Sequence, residues 1–252
     1  AGWVLRHVNL IVEPGETLAL VGATGAGKSV LAALFCRLHD VTEGQILIDG
    51  RDIRELALSA LRQTVGTAFE NPMLFSMSVA ENLRLGRLAA TDAELAHAID
   101  IAAAQFVYDL PSGLDTRIGE QGMNLSGGQR QRLSLARAIV AAPRILVIDD
   151  TLSALDMHTE AQVTAVLQRA LHAVTGIVIA HRASTVALAD KVALLSRNSH
   201  GGNITHVGRH AELLDTVPQY RALLAAGDEF EDSWSVWQEF ESTYATGDLA
   251  TL

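Results

Sequence analysis

TLALVGATGAGKSVLAALFCRL, residues 17 to 38, divides into three pieces of different character. TLALVG is a short apolar run of the kind that fills a buried strand. GATGAGKS, Gly22 to Ser29, fits the spacing G-x-x-x-x-G-K-[ST]. SVLAALFCRL then places apolar residues at near-helical intervals, so the stretch predicts strand, glycine-rich turn and helix in that order. Glycines allow consecutive backbone N–H groups to curl around a polyphosphate, whose charge also meets the positive end of the following helix dipole. Lys28 is expected to reach the β- and γ-phosphates and Ser29 a Mg²⁺ ion. Lys28 is one of two lysines in the chain, the other being Lys191; the remaining 17 basic residues are arginine.

Short apolar runs at 46–48, 64–69, 145–149, 177–180 and 192–195 predict further strands of a mostly parallel sheet. Between about 71 and 140 the pattern becomes Ala-rich and helical, as in AELAHAIDIAAAQF and RQRLSLARAIV, which predicts a helical subdomain. The expected class is therefore α/β, a P-loop NTPase core of mostly parallel sheet with flanking helices. Expected boundaries are 1–70 and 141–226 for the core, 71–140 for the helical signature subdomain, and 227–252 for a C-terminal extension.

A chain of 252 residues suits one compact unit with an insertion. No apolar run approaches the length of a membrane span, and AGWVLRHVNL lacks the regions of a signal peptide, so a soluble, cytosolic-side chain is expected. Cys36 is the single cysteine, which excludes an internal disulfide framework; among Leu34, Phe35 and Leu38 it reads as a small core residue rather than a nucleophile. Net charge is −10, of which seven negative charges lie after Arg221, where no Lys or Arg occurs. No basic stripe with interleaved aromatics appears, which argues against nucleic acid as a partner. In the tail, Phe230, Trp234, Trp237, Phe240 and Tyr244 recur at helical spacing opposite acids, as either a docking helix or one packed on its own domain.

ILVIDD, 145–150, ends a strand in two aspartates. A P-loop needs a second Mg²⁺ ligand at the end of a neighbouring buried strand, and Asp149 supplies it. LSGGQRQRLSLARAI, 125–139, opens an Arg-rich helix with Ser-Gly-Gly, which reads either as a plain turn and cap or as a second phosphate site.

Together these stretches resemble the ATP-binding cassette (ABC) proteins, from about residue 4 to 225. GATGAGKS resembles their Walker A motif, so that Gly22, Ala23, Thr24, Gly25, Ala26, Gly27, Lys28, Ser29 and Val30 are expected to bind ATP. ILVIDD resembles Walker B followed by the catalytic position, LSGGQ the signature, SALD (153–156) the D-loop, and IAHR (179–182) the segment carrying the switch histidine, His181. FENPMLF (69–75) falls at the Q-loop. The resemblance implies a head-to-tail dimer of cassettes, with Ser126, Gly127, Gly128, Gln129 and Asp156 serving the partner's nucleotide. It implies Ser29, Asp149 and Glu70 as Mg²⁺ ligands, and Asp150, His181 and Glu70 as catalytic-site residues. TRIGEQGMNLSGGQ (116–129) and FENPMLFSMSVAENLRLG resemble the exporter branch, in which a TxxGE segment meets the coupling helices of a transmembrane domain. The chain then looks like the detached motor domain of a half-transporter at the cytoplasmic face of a membrane. The family's adenine-stacking aromatic falls ahead of Ala1, with Trp3 a poor substitute better read as a surface hairpin residue.

Two positions depart from the family pattern. Asp150 stands where the family places a glutamate that polarises the attacking water; one methylene shorter, its carboxylate falls back by roughly 1.3 Å, and an error of about 1 Å can cost about 100-fold in rate. Glu70 replaces an amide that can donate a hydrogen bond, and adds negative charge beside the γ-phosphate. The expectation is the degenerate-site subunit of a heterodimeric ABC exporter, slow at its own site. The alternatives are a homodimeric exporter in which Asp150 works as base, and a non-transport ABC ATPase.

Overall fold

The computed structural model describes residues 2–69, 72–119, 124–149 and 174–225, together with 163, 164, 167, 168 and 171. Glu70, Asp150, Asp156 and the 227–252 extension lie outside the described residues.

The main sheet has six strands in the order β4-β5-β6-β1-β7-β8. These are β1 (Thr17–Val21), β4 (Val65–Ala68), β5 (Ile145–Asp149), β6 (Thr175–Ile179), β7 (Lys191–Asn198) and β8 (Gly201–Gly208). Every neighbouring pair is parallel except the antiparallel hairpin of β7 with β8. The parallel strands are continuous apolar runs because helices cover both faces: Leu18, Ala19 and Leu20 of β1 and Val147 of β5 have no exposed surface. The 46–48 run does not join this sheet. Leu47–Ile48 (β2) pairs antiparallel with Arg51–Asp52 (β3) in a separate two-stranded ribbon, because Asp49 and Gly50 both take positive φ and close a tight turn.

Helix α1 (Lys28–Phe35) stops earlier than its apolar pattern suggests: Cys36 caps it and Arg37 turns left-handed at φ 50. Cys36 is half-buried against the core beneath β1, and burial pushes its thiol up to about 12, with the charge of Asp149 adding to the effect. Helix α2 (Leu58–Thr64) leads into β4.

The expected helical block contains α3 (Val79–Arg84), α4 (Asp92–Ile101) and α5 (Gly127–Val140) around fully buried Leu83, Leu95, Ile99 and Leu133. AELAHAIDIAAAQF is not one helix, since Ala103 reverses the chain at φ 47 before a 3₁₀ segment at Gln105–Asp109. The approach of α3 to α5 is close enough that a Cβ on Gly86 would lie 2.2 Å from the Arg137 carbonyl oxygen. Residues 75–78 and 116–118 form a short antiparallel contact: Ile118 N–H donates to the Met77 carbonyl at 2.9 Å and Val79 N–H to the Thr116 carbonyl at 3.1 Å.

Helices α3, α4 and α5 all begin in capping boxes, led by Ser78, Thr91 and Ser126. In α4 the Thr91 N–H donates to Glu94 Oε2 at 2.8 Å, and Arg87 pairs with the same carboxylate. The backbone bond from Thr91, then those from Arg87 and the Thr91 side chain, hold the Glu94 carboxyl at about 2, against an ordinary 4.5. A carboxyl depressed in the folded state stabilises the fold above its unfolded pKa and loses that effect as pH falls through the folded one. Glu94→Gln should therefore be less stable than the parent at pH 7, the gap narrowing between pH 4.5 and about 2, as urea unfolding at a series of pH values will measure.

Candidate functional site

The glycine-rich loop leaves β1 where there is no room for a side chain: a Cβ on Gly22 would sit 2.2 Å from the Leu195 carbonyl oxygen of β7. The loop then turns through left-handed Gly25 (φ 78) and Gly27 (φ 107), and Gly27 caps α1. The Ala26 N–H donates to the Ala23 carbonyl at 3.0 Å, closing the turn. Lys28 is buried at 5% exposure, and its Nζ donates to the Gly22 carbonyl at 2.6 Å and the Ala23 carbonyl at 3.3 Å. The ammonium is thus folded inside the loop, while Ala23, Thr24, Gly25, Ser29 and Val30 remain exposed along the mouth. Glycine amides, the N-terminus of α1 and a fixed cation combine into one concave patch of positive potential, which suits a polyphosphate.

Strand register brings Asp149 and the segment leading to His181 to the same edge. Asp149 lies opposite Ile179, and Ile179 opposite Leu20, so the ends of β5, β6 and β1 are level. Gly22 begins the loop two residues beyond that row, and His181, exposed, stands two residues beyond it, past the end of β6. The Ala180 N–H donates to the Leu20 carbonyl at 3.1 Å, which ties the base of the His181 segment to the root of the loop. Asp149 is two strands from β1, roughly 10 Å at ordinary strand spacing, and is buried at 6% exposure. On β4, Ala68 pairs with Ile148, so β4 ends at this edge as well. The chemistry of Ser29 and Asp149, a hydroxyl and a carboxylate, fits a hard divalent cation that also binds phosphate oxygens. Among the described residues no group of three or more His, Cys, Asp or Glu forms a metal cage.

The signature segment lies on the helical subdomain. Ser126 Oγ accepts from the Gln129 N–H at 3.2 Å, and Gln129 Oε1 accepts from the Ser126 N–H at 2.9 Å. Ser126 and Gln129 therefore hold one another, and Gly127 and Gly128 form the first turn of α5 between them. The arginines that follow serve backbone carbonyls: Arg130 bonds Leu125 at 2.9 Å, Arg132 bonds Ala103 at 2.9 Å and lies over the Phe106 ring, and Arg137 bonds Met73 at 2.9 Å.

The family model described as ABC transporter matches residues 5–153, more than half of the chain. The chain belongs to the ABC transporter family. Its cassette is 43% identical over 230 residues to a multidrug efflux ATP-binding/permease protein of Mycobacterium bovis (strain BCG / Pasteur 1173P2), covering 91% of this chain and 19% of that protein. It is also 43% identical over 225 residues to a putative multidrug export ATP-binding/permease protein of Staphylococcus aureus (strain NCTC 8325), covering 87% of this chain and 38% of that one. The cassette thus spans well under half the length of these relatives. Among solved structures, a bacterial Atm1-family ABC exporter with ATP bound superimposes with a TM-score of 0.78 at 38% identity, over 84% of this chain and 37% of that one. The chain is accordingly an ABC ATP-binding domain with the P-loop NTPase fold of this family.

Sequence reasoning did not anticipate Arg197. Its Nη1 donates to the Gly25 carbonyl at 2.9 Å from a strand 172 positions away, and no local motif announces such a bond.

Because Lys28 both shapes the loop and supplies its cation, Lys28→Ala should weaken ATP binding by about 100-fold or more. Equilibrium dialysis with ATP will measure it, and wild-type affinity in the variant would remove Gly22–Ser29 as the nucleotide cradle.

Proposed function

We propose that the chain is the motor domain of an ABC exporter, binding Mg-ATP between its own P-loop and the signature segment of a second cassette. The level row of Leu20, Ile179 and Asp149 carries this reading, because it presents the loop, a carboxylate and His181 at one edge. Gly22 to Val30 would cradle the phosphates. Ser29 and Asp149, with Glu70, would hold Mg²⁺, which neutralises phosphate charge when bound. His181 would hydrogen-bond the γ-phosphate, and Asp150 would orient the attacking water. Ser126, Gly127, Gly128, Gln129 and Asp156 would serve the nucleotide of the partner cassette. The cap at the head of α5 supports this: the mutual bonds of Ser126 and Gln129 fix the helix N-terminus in advance of any ligand.

The relatives' names, which join multidrug efflux or export to an ATP-binding/permease protein, support the exporter reading. Among the described residues no helix is long and apolar enough to cross a membrane, so the substrate path would belong to an associated transmembrane domain. The contact of residues 75–78 with 116–118 supports a docking surface for that domain at the cytoplasmic face. Met73 and Phe75 are exposed beside it, and a cavity of about 380 Å³ opens between Ser78, Glu81, Arg84, Asp115 and Arg117.

The partner would be a non-identical cassette. Asp150 and Glu70 weaken this chain's own site through a retracted carboxylate and an added charge, while its signature segment completes a competent site opposite. Gly128→Asp, which places a carboxylate against the partner's nucleotide, should then collapse turnover, whereas Asp150→Asn should leave most of it. Steady-state ATP turnover of the assembled transporter tests the difference. Equal damage from the two changes would replace the heterodimer by a homodimer in which Asp150 is the working base. In single-turnover assays Asp150→Glu should speed the slow site, alone or together with Glu70→Gln.

A further inference from the structure

The P-loop is held from behind as well as from within. Lys28 grips its inner side through the Gly22 and Ala23 carbonyls. On the outer side the β7–β8 hairpin and residues 4–6 close against it. Arg6 N–H donates to the Gly202 carbonyl at 2.8 Å and Gly202 N–H to the Val4 carbonyl at 2.9 Å, so these two segments interlock behind the loop. A Cβ on Gly202 would fall 2.1 Å from the Ala26 carbonyl oxygen, and one on Gly27 2.7 Å from Leu5 Cδ2. The loop's base is therefore fixed by packing.

Its crest is not. Ala23, Thr24 and Gly25 are exposed, and a Cβ on Gly25 would meet nothing within 4 Å. A glycine at positive φ in open space has more conformational freedom than any other residue, and ordering it on binding counts against ligand affinity. Arg197 reaches this point, its Nη1 donating to the Gly25 carbonyl at 2.9 Å. The bond occupies a carbonyl and takes up none of the N–H groups that a phosphate would use. It also leaves a positive charge next to the mouth.

We propose that Arg197 is a positioning residue for the nucleotide: it latches the crest of the P-loop to the β7–β8 hairpin, so that Gly25 is ordered before ATP arrives. The proposal rests on the ATP-binding reading and goes beyond it, since Arg197 belongs to no nucleotide motif. Because the crest is exposed, the latch adds little to global stability; its effect falls on ligand affinity, as preorganisation requires.

The test is isothermal titration calorimetry of ATP with the full chain, its Arg197→Gln and Arg197→Lys variants, and Lys28→Ala. Each is also unfolded thermally without nucleotide. Arg197→Gln is expected to bind ATP about tenfold more weakly at an unchanged melting temperature, and Arg197→Lys to recover part of the loss. The deficit should persist at high salt, where attraction between an exposed charge and a distant phosphate is screened. Wild-type affinity in Arg197→Gln would overturn the latch, as would a matching fall in melting temperature or a deficit that vanishes with salt. Should the unaltered chain fail to bind ATP, the nucleotide reading falls and the latch with it. If the chain binds, Lys28→Ala does not, and Arg197→Gln is indistinguishable from the parent, the latch alone is lost.

Discussion

Parallel pairing is the constraint from which the rest of this cassette follows. A parallel strand cannot be joined to its neighbour by a tight turn, so each must return along a face of the sheet and start again at the same end. With β4, β5, β6, β1 and β7 all parallel, their carboxyl ends emerge together. The P-loop, Asp149 and His181 are collected there by backbone register alone. A slip of one residue in β5 would turn its apolar set and Asp149 to opposite faces, at the cost of burying a carboxylate in the wrong layer. Core packing and site geometry are thus enforced by the same ladder.

Legibility in the sequence tracks how local the determining forces are. TLALVGATGAGKS could be read because one strand, one turn and one helix N-terminus account for it, and the apolar run 145–149 coincides with β5 from end to end. β8 was missed because GGNITHVG is a polar edge strand with two leading glycines, and only its pairing with β7 makes it a strand. The ribbon of β2 and β3 did carry a signal, the Asp49-Gly50 pair, which marks a hairpin turn more reliably than ILI marks a parallel strand. The overlong reading of α1 has a similar cause: Cys36 is apolar because it packs against the core, although the helix has already ended at Phe35. In the site, the glycine turn that folds around Lys28 could be read locally, whereas the approach of Arg197 to Gly25 depends on a hairpin 172 positions away.

The division of labour among cations also follows from their shapes. Arginine's planar fork suits backbone carbonyls, and Arg130, Arg132 and Arg137 use it to bind the signature helix to its surroundings. A compact ammonium on a flexible stem suits the inside of a tight loop, where a fork would not fit. In a chain with two lysines, one is placed inside the glycine loop and the other pairs with Glu16 at the root of β1, at 2.7 Å.

The contact between residues 75–78 and 116–118 ties together what would otherwise be two independent loops. The Met73 carbonyl accepts from the Arg137 guanidinium of α5, and the Met77 carbonyl accepts from the Ile118 N–H. One residue on, the Gly119 N–H donates to Asn124 Oδ1 at 3.0 Å, two residues before the cap of α5. The helix is gripped near its head and near its tail by the same short stretch of chain. The positions of the capped head and of the tail of α5 are therefore set together by one anchor.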